Sequence, residues 1–248
     1  MPTRFTRHRV FQRGHYLQIC YVYMVAIAAI LAACTSANTT HSSSSVGPAH
    51  PSWRLTYVAI GASDSFGIGT QDPDRQSWPT IVADELGPNT HLINLGVPEE
   101  TVARAVQSEL PIALDSDPDM ITVWLGVNDF VDGVALDAYA GQLQSLLSAL
   151  HEGTHARIVV GNLPNLTLLP RFSQSDPTSL RSQVQRWNAV IASVCAATGV
   201  TLVDIYSGWE ELSTHPEYIS SDGFHPSAIG AERLADIFAV ALDQSART

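Results

Sequence analysis

Two short segments of this chain carry side chains suited to nucleophilic chemistry. One is Gly61-Ala62-Ser63-Asp64-Ser65-Phe66-Gly67, a serine in a glycine-bounded turn, and the other is Asp222-Gly223-Phe224-His225-Pro226, an acid three residues before an imidazole. A serine hydroxyl is a poor nucleophile until a base removes its proton, which makes His225 the candidate base. Asp222 can accept the other ring N–H only if its segment turns back on itself, as Gly223 permits. It would then hold the tautomer and stabilise the imidazolium. Taken singly, these residues have plainer readings: Ser63 as a turn residue, Asp222 and His225 as solvated residues ahead of a helix starting at Pro226-Ser227.

The elements around them decide whether these segments meet. From Trp53 onward, short apolar, β-branched runs at 55–60, 91–95, 120–125, 157–161 and 200–204 read as five buried parallel strands. Amphipathic segments at 77–86, 101–114, 136–150, 179–198 and 227–243 read as helices on both sheet faces. Within 136–150, Leu143, Leu146, Leu147 and Leu150 fall at helical spacing, which predicts a core stripe. The alternation predicts a three-layer α/β/α sandwich around a five-stranded parallel sheet, flavodoxin-like in class. Ligands of such sheets bind beyond the carboxyl ends of the strands.

Ser63 follows the first strand, Asn94-Leu95-Gly96 ends the second, Gly126-Val127-Asn128-Asp129 follows the third, and Asp222-x-x-His225 precedes the last helix. Alone, Gly96 reads as loop punctuation, and Asn128 and Asp129 as a helix cap or Asx-turn. In this order they resemble the SGNH hydrolases, the GDSL esterase and lipase family, over about residues 55–242. The resemblance implies a Ser63-His225-Asp222 triad and an oxyanion hole made by the Ser63 N–H, the Gly96 N–H and the Asn128 side-chain amide. It also implies hydrolysis of acyl esters through an acyl-enzyme, with no metal or cofactor. Two departures stand out. Ala62 replaces the family's acid before the serine while Asp64 follows it, and Gly96 leads into Val97-Pro98-Glu99-Glu100-Thr101 rather than to a second glycine. The first should alter the geometry of the turn more than the mechanism, and Asp64 is one candidate to compensate. The second predicts a stiffer, more acidic loop.

The remaining features set the context. All 13 basic residues are Arg, and four of them (Arg4, Arg7, Arg9, Arg13) precede residue 34, leaving nine against all 24 acidic residues in the rest. So acidic a domain excludes a nucleic-acid partner. With 45% hydrophobic and 15% charged residues, disorder is excluded as well. The Arg-rich start, the uncharged stretch 16–33 and Leu31-Ala32-Ala33-Cys34 resemble a lipoprotein signal peptide with its lipobox. The expected organisation is a leader over 1–33, a Ser/Thr-rich tether over 34–52 carrying a lipid on Cys34, and a hydrolase domain over 53–248. The expected location is the bacterial cell envelope, with the lipid on Cys34 as the membrane contact. The default oligomeric state is a monomer. An uncleaved membrane helix is the alternative, although the apolar run is short for a span. Cys195, in an apolar helical pattern, reads as a buried hydrophobe.

His151-Glu152-Gly153-Thr154-His155 matches the His-Glu-x-x-His zinc pattern, but Gly153 and the strand that follows predict a helix end plus loop. Gly67-Ile68-Gly69-Thr70 lacks the Lys of a phosphate-binding loop. Three functions fit: a serine esterase acting on short-chain or acetyl esters, a polysaccharide O-deacetylase of the envelope, and a silent envelope-binding lipoprotein. Substrate choice should lie in the connections 71–76, 97–100, 130–135, 166–178 and 207–221. Arg171, Phe172, Trp209 and Tyr218 are possible lining residues there, outside the candidate site itself.

Overall fold

The run Leu-Thr-Tyr-Val-Ala-Ile-Gly forms β1 (Leu55–Gly61), and Tyr57, Val58, Ala59 and Ile60 are wholly buried. A strand covered on both faces has no need of polar alternation, which is why it appears in the sequence as one apolar run. The computed structural model describes residues 54–244. The expected leader, Cys34 and the tether lie outside the described residues.

The helices and strands alternate as α1 (Ser63–Phe66), α2 (Pro73–Gln76), α3 (Trp78–Leu86), β2 (Thr90–Asn94), α4 (Val102–Ser108), α5 (Leu110–Asp115), β3 (Met120–Trp124), α6 (Val127–Val131) and α7 (Leu136–Gly153). They continue as β4 (Arg157–Gly161), α8 (Pro177–Thr198), β5 (Thr201–Val203), α9 (Ile205–Gly208) and α10 (Ala228–Gln244). The five strands are all parallel, in the order β2-β1-β3-β4-β5. Helices α3 and α10 pack together on one side, and α4, α7 and α8 on the other. This is the expected α/β/α sandwich. The chain leaves β1 towards β2 but later returns to build β3 on the other flank. The crevice beyond β1 and β3 is thus the switch point where such sheets take ligands.

The sequence pattern suggested one helix over 101–114, and the structure has two. Pro111 lacks an N–H and its ring would crowd the carbonyl four residues back, so α4 stops and α5 restarts with the proline in its first turn. Glu109 stands at the junction.

Leu143, Leu146, Leu147 and Leu150 are buried along α7, as their spacing required. Cys195 is buried too, and burial pushes its thiol up to about 11, so it packs as a hydrophobe. His151 lies in the last turn of α7, which ends at Gly153, and His155 lies beyond in the loop before β4, so the pair does not share a helix face.

One aromatic cluster ties the layers to the switch point. Trp78 of α3 stacks on Phe238 of α10 at 4.2 Å, and both meet the edge of Trp124, the last residue of β3. The Trp124 indole donates to the Asn162 carbonyl at 3.1 Å and its ring meets Trp209 at 6.5 Å. The ring that closes the core therefore also floors the crevice.

Candidate active site

Ser63 opens α1 directly beyond β1 and is only 6% exposed. Its Oγ lies 2.9 Å from His225 Nε2, and His225 Nδ1 lies 2.6 Å from Asp222 Oδ2. The fold has brought the two segments together.

The turn that carries Asp222 and His225 is built locally. Gly223 takes φ +73°, in the left-handed region that favours glycine, and its N–H donates to the Ser220 carbonyl at 3.0 Å. Asp222 Oδ1 accepts from Ser220 Oγ, the Phe224 N–H and the His225 N–H at 2.8, 2.8 and 3.0 Å. The Ser220 N–H returns to the His225 carbonyl at 2.8 Å, and Ile219 pairs with Pro226 as an antiparallel bridge. Partial burial works to raise the Asp222 pKa. The hydrogen bonds from the His225 ring, the two backbone N–H groups and Ser220 outweigh it and hold the carboxyl well below the usual range. Asp222 is thus an anion fixed under the imidazole.

The loop leaving α1 supports the same turn from behind. Gly69 takes φ +98°, and a Cβ there would lie 2.9 Å from His225 Cβ and 2.3 Å from the Pro226 carbonyl oxygen. Gly69 thus serves as a close-packing surface for His225, while Gly67 packs against Pro73 and Ser77.

On the other side, residues after β3 clamp the loop after β2. Asn128 Nδ2 donates to the Glu100 carbonyl at 2.9 Å, and the Asp129 carboxylate accepts from the Val102 N–H at 3.2 and 3.3 Å. Burial pushes Asp129 up to about 6 against that hydrogen bond. Glu100, itself buried, accepts from Arg104 Nε, the Thr101 N–H and Ser108 Oγ.

Gly96 is placed differently from what the sequence suggested. It packs against the Ser65–Phe66 backbone, but its N–H donates to Asn94 Oδ1 at 3.1 Å, so it is committed inside its own loop rather than presented at Ser63. Within that loop Glu99 has a left-handed φ of +63°, and among the described residues its N–H donates to no acceptor.

Sequence reasoning also missed Glu109. It is 1% exposed at the α4–α5 junction, and its Oε2 accepts from the Gly61 N–H at 2.9 Å, two residues before Ser63. Burial drives its carboxyl up to about 8; the Gly61 hydrogen bond opposes this and the nearby Glu100 adds to it. With Ala62 in the motif position, the acid that holds the nucleophile turn comes from Glu109, not from Asp64. Asp64 instead faces the crevice.

Two small adjoining hollows lie beyond the ends of β1 and β3, the first beside Ser63, each with about 10 Å³ of space for a water-sized group. The first is lined by Ser63, Asp64, Trp124, Gly126, Asn128 and Phe224 among others. The second shares Asp64, Trp124, Val127 and Phe224 with it and adds Pro164, Leu166, Leu169 and Trp209. Burial, with Asp222 adding and His225 opposing, raises Asp64 to about 6. Arg171 does not line either hollow; its guanidinium lies over the Phe224 ring at 5.0 Å, and Phe172 packs against the same ring at 6.1 Å. Tyr218 stacks on His215.

Known proteins share this arrangement of chain. A model of the GDSL-like lipase/acylhydrolase family matches residues 59–233. An arylesterase of Vibrio mimicus is 24% identical over 180 residues, which cover 71% of this chain and 83% of that protein. The acetylxylan esterase of Geobacillus stearothermophilus superposes with a TM-score of 0.60 at 20% identity, over 76% of this chain and 94% of that one. The lipase/acylhydrolase of Enterococcus faecalis does so with a TM-score of 0.61 at 18% identity, over 78% and 96%.

Proposed function

The chain belongs to the GDSL-like lipase/acylhydrolase family and is a carboxylic ester hydrolase, and on that premise we propose that it cleaves short acyl esters through a Ser63-His225-Asp222 triad. The observation that carries this reading is the unbroken line from Ser63 Oγ through the His225 ring to Asp222, with contacts of 2.9 and 2.6 Å.

In this reading His225 Nε2 takes the Ser63 proton as Oγ attacks the ester carbonyl, and Asp222 holds the proton on Nδ1 and stabilises the imidazolium. The negative charge on the carbonyl oxygen meets the Ser63 N–H and the second amide hydrogen of Asn128, whose first is fixed by Glu100. The contribution from the loop after β2 comes from the uncommitted Glu99 N–H rather than from Gly96. His225 then protonates the leaving alcohol, and water attacks the acyl-enzyme by the same route in reverse. The hollow of about 10 Å³ lined by Ser63 and Asn128 suits an acetyl or similarly short acyl group.

A second reading, O-deacetylation of a polysaccharide, is favoured by an open groove of about 520 Å³ next to the His225 turn. Its lining includes Gln71, Gln76, Ser220, Ser221 and Ser227, side chains suited to sugar hydroxyls. The acetylxylan esterase among the structural neighbours acts within the same range.

The test is hydrolysis of p-nitrophenyl esters of increasing acyl length by the full chain, alongside Ser63→Ala and a serine-directed phosphonate. Turnover that peaks at acetyl and is lost with Ser63→Ala is expected. A wild-type protein that neither turns over nor labels at Ser63 would return the binding-protein reading to the front. The envelope location rests on Leu31-Ala32-Ala33-Cys34 behind an apolar stretch. Incorporation of a fatty-acid label by wild type and not by Cys34→Ala is its check.

A further inference from the structure

The second hollow adjoins the one that Ser63 lines, and its side chains are apolar except for Asp64 and the indole N–H groups of Trp124 and Trp209. Pro164, Leu166 and Leu169 line it; the Trp124 indole is already bonded to the Asn162 carbonyl, which leaves Asp64 and Trp209 as the lining residues whose side-chain polar groups need a partner. Asp64 is half-buried, and among the described residues the only hydrogen-bond donor at its carboxylate is its own backbone N–H. Trp209 is 2% exposed, and its indole N–H has no acceptor. A buried donor left unmade costs stability, so the pair requires some compensation.

The two groups define what fits. The carboxylate can only accept, the indole can only donate, and the space is that of one water-sized group. A methyl group would desolvate Asp64 and satisfy neither. An ammonium would leave the indole unmet, and a carboxylate would be repelled by Asp64. A hydroxyl donates and accepts at once. We propose that this hollow is a hydroxyl-binding subsite, in which Asp64 and Trp209 select esters carrying a hydroxyl close to the scissile carbonyl.

The proposal rests on the esterase reading of Ser63 and narrows its substrate class. At neutral pH Asp64 is ionised even with burial raising its pKa to about 6, and His225 and Asp222 are the titratable groups that face it. The hydroxyl has two sources, the acyl chain or the alcohol part of the ester, and both offer the same chemistry to the subsite.

The test compares ester pairs that differ by one hydroxyl. In the acyl arm, p-nitrophenyl glycolate is set against the acetate and 3-hydroxybutyrate against butyrate. In the alcohol arm, the monoacetate of trans-1,2-cyclohexanediol is set against cyclohexyl acetate. Wild-type kcat/KM is expected to favour the hydroxylated member of at least one arm by about tenfold or more, as one hydrogen bond to a charged acceptor supplies. The ratio should fall to near unity in Asp64→Leu and in Trp209→Phe, with phosphonate labelling of Ser63 reporting that each variant is folded. A wild-type ratio near one in both arms, with the plain esters still turned over, overturns the subsite and leaves the esterase reading standing. A ratio that survives both substitutions overturns it as well. Absence of turnover on every ester together with absence of phosphonate labelling removes the esterase reading and the subsite with it.

Discussion

The carboxyl of Glu109 crosses from the α4–α5 junction to the end of β1 and accepts the Gly61 N–H at 2.9 Å, with Gly61 two residues ahead of Ser63. The turn that presents the serine is therefore held by a residue 48 positions away. Glu109→Ala should leave the Gly61 N–H buried without an acceptor, lowering stability by about 1–3 kcal/mol and reducing kcat more than it raises KM. Glu109→Gln keeps an acceptor oxygen and should recover most of the activity. Burial raises this carboxyl from 4.5 to about 8, so its protonated form contributes stability that is complete below about pH 4.5 and lost as pH rises through 8. Melting temperatures followed from pH 4 to 9 should fall more steeply for wild type than for Glu109→Gln.

Asp222 shows the opposite sign. Its carboxyl is depressed below 3.8, so its stabilising contribution is present above that value and disappears as pH falls below it. Asp222→Asn should drop kcat by about 10⁴-fold by presenting the wrong tautomer of His225. Thermal unfolding should show wild type more stable than the variant at pH 6 and the difference shrinking below about pH 4.

Asn128→Ala is expected to lower kcat by about 100- to 1000-fold with little change in KM, the loss associated with a single oxyanion donor. The variant also frees the Glu100 carbonyl. Steady-state kinetics on p-nitrophenyl acetate settle the size of the effect, and a fall below about tenfold would remove Asn128 from the oxyanion hole.

Gly69→Ala places a Cβ against the Pro226 carbonyl and His225 Cβ, on backbone at φ +98°. Displacement of the imidazole is the expected result. The protein should lose about 1–2 kcal/mol from the left-handed conformation, and kcat/KM should fall by about tenfold or more because a small misplacement of a base is costly. A crystal structure of the variant should show His225 moved from Ser63.

What could be seen in the sequence follows from how locally each feature is determined. Buried parallel strands are continuous apolar runs, so β1 and β3 were legible within a residue or two of their ends, and Ser63 and Asn128 were legible because they follow those runs directly. Asp222 and His225 announce each other through a turn that Gly223 makes possible. The split of α4 from α5 is encoded in Pro111, which the apolar spacing of 101–114 masks. Glu109 left a fainter trace: with Val102 and Ala105 it falls at helical spacing on a buried face, an acid where an apolar residue is expected. Gly96 misled because which N–H of a loop is free depends on the side chains around it, here Asn94. Gly69 and Asp64 acquire their roles only from segments some 150 residues away in the chain, and no local pattern encodes that approach.

The 2.9 Å contact between Ser63 and His225 joins residues 162 positions apart, one at the end of the first strand and the other just before the final helix. The base is held by the turn between Tyr218 and Ser227, whose backbone bonds lead straight into α10, and α10 is seated on α3 and β4. Hydrolysis thus requires the last helix to be in place against α3 and the β4–β5 side of the sheet. An incomplete or partly folded chain carries a serine with no base, and turnover becomes a stringent reporter that the whole domain has closed.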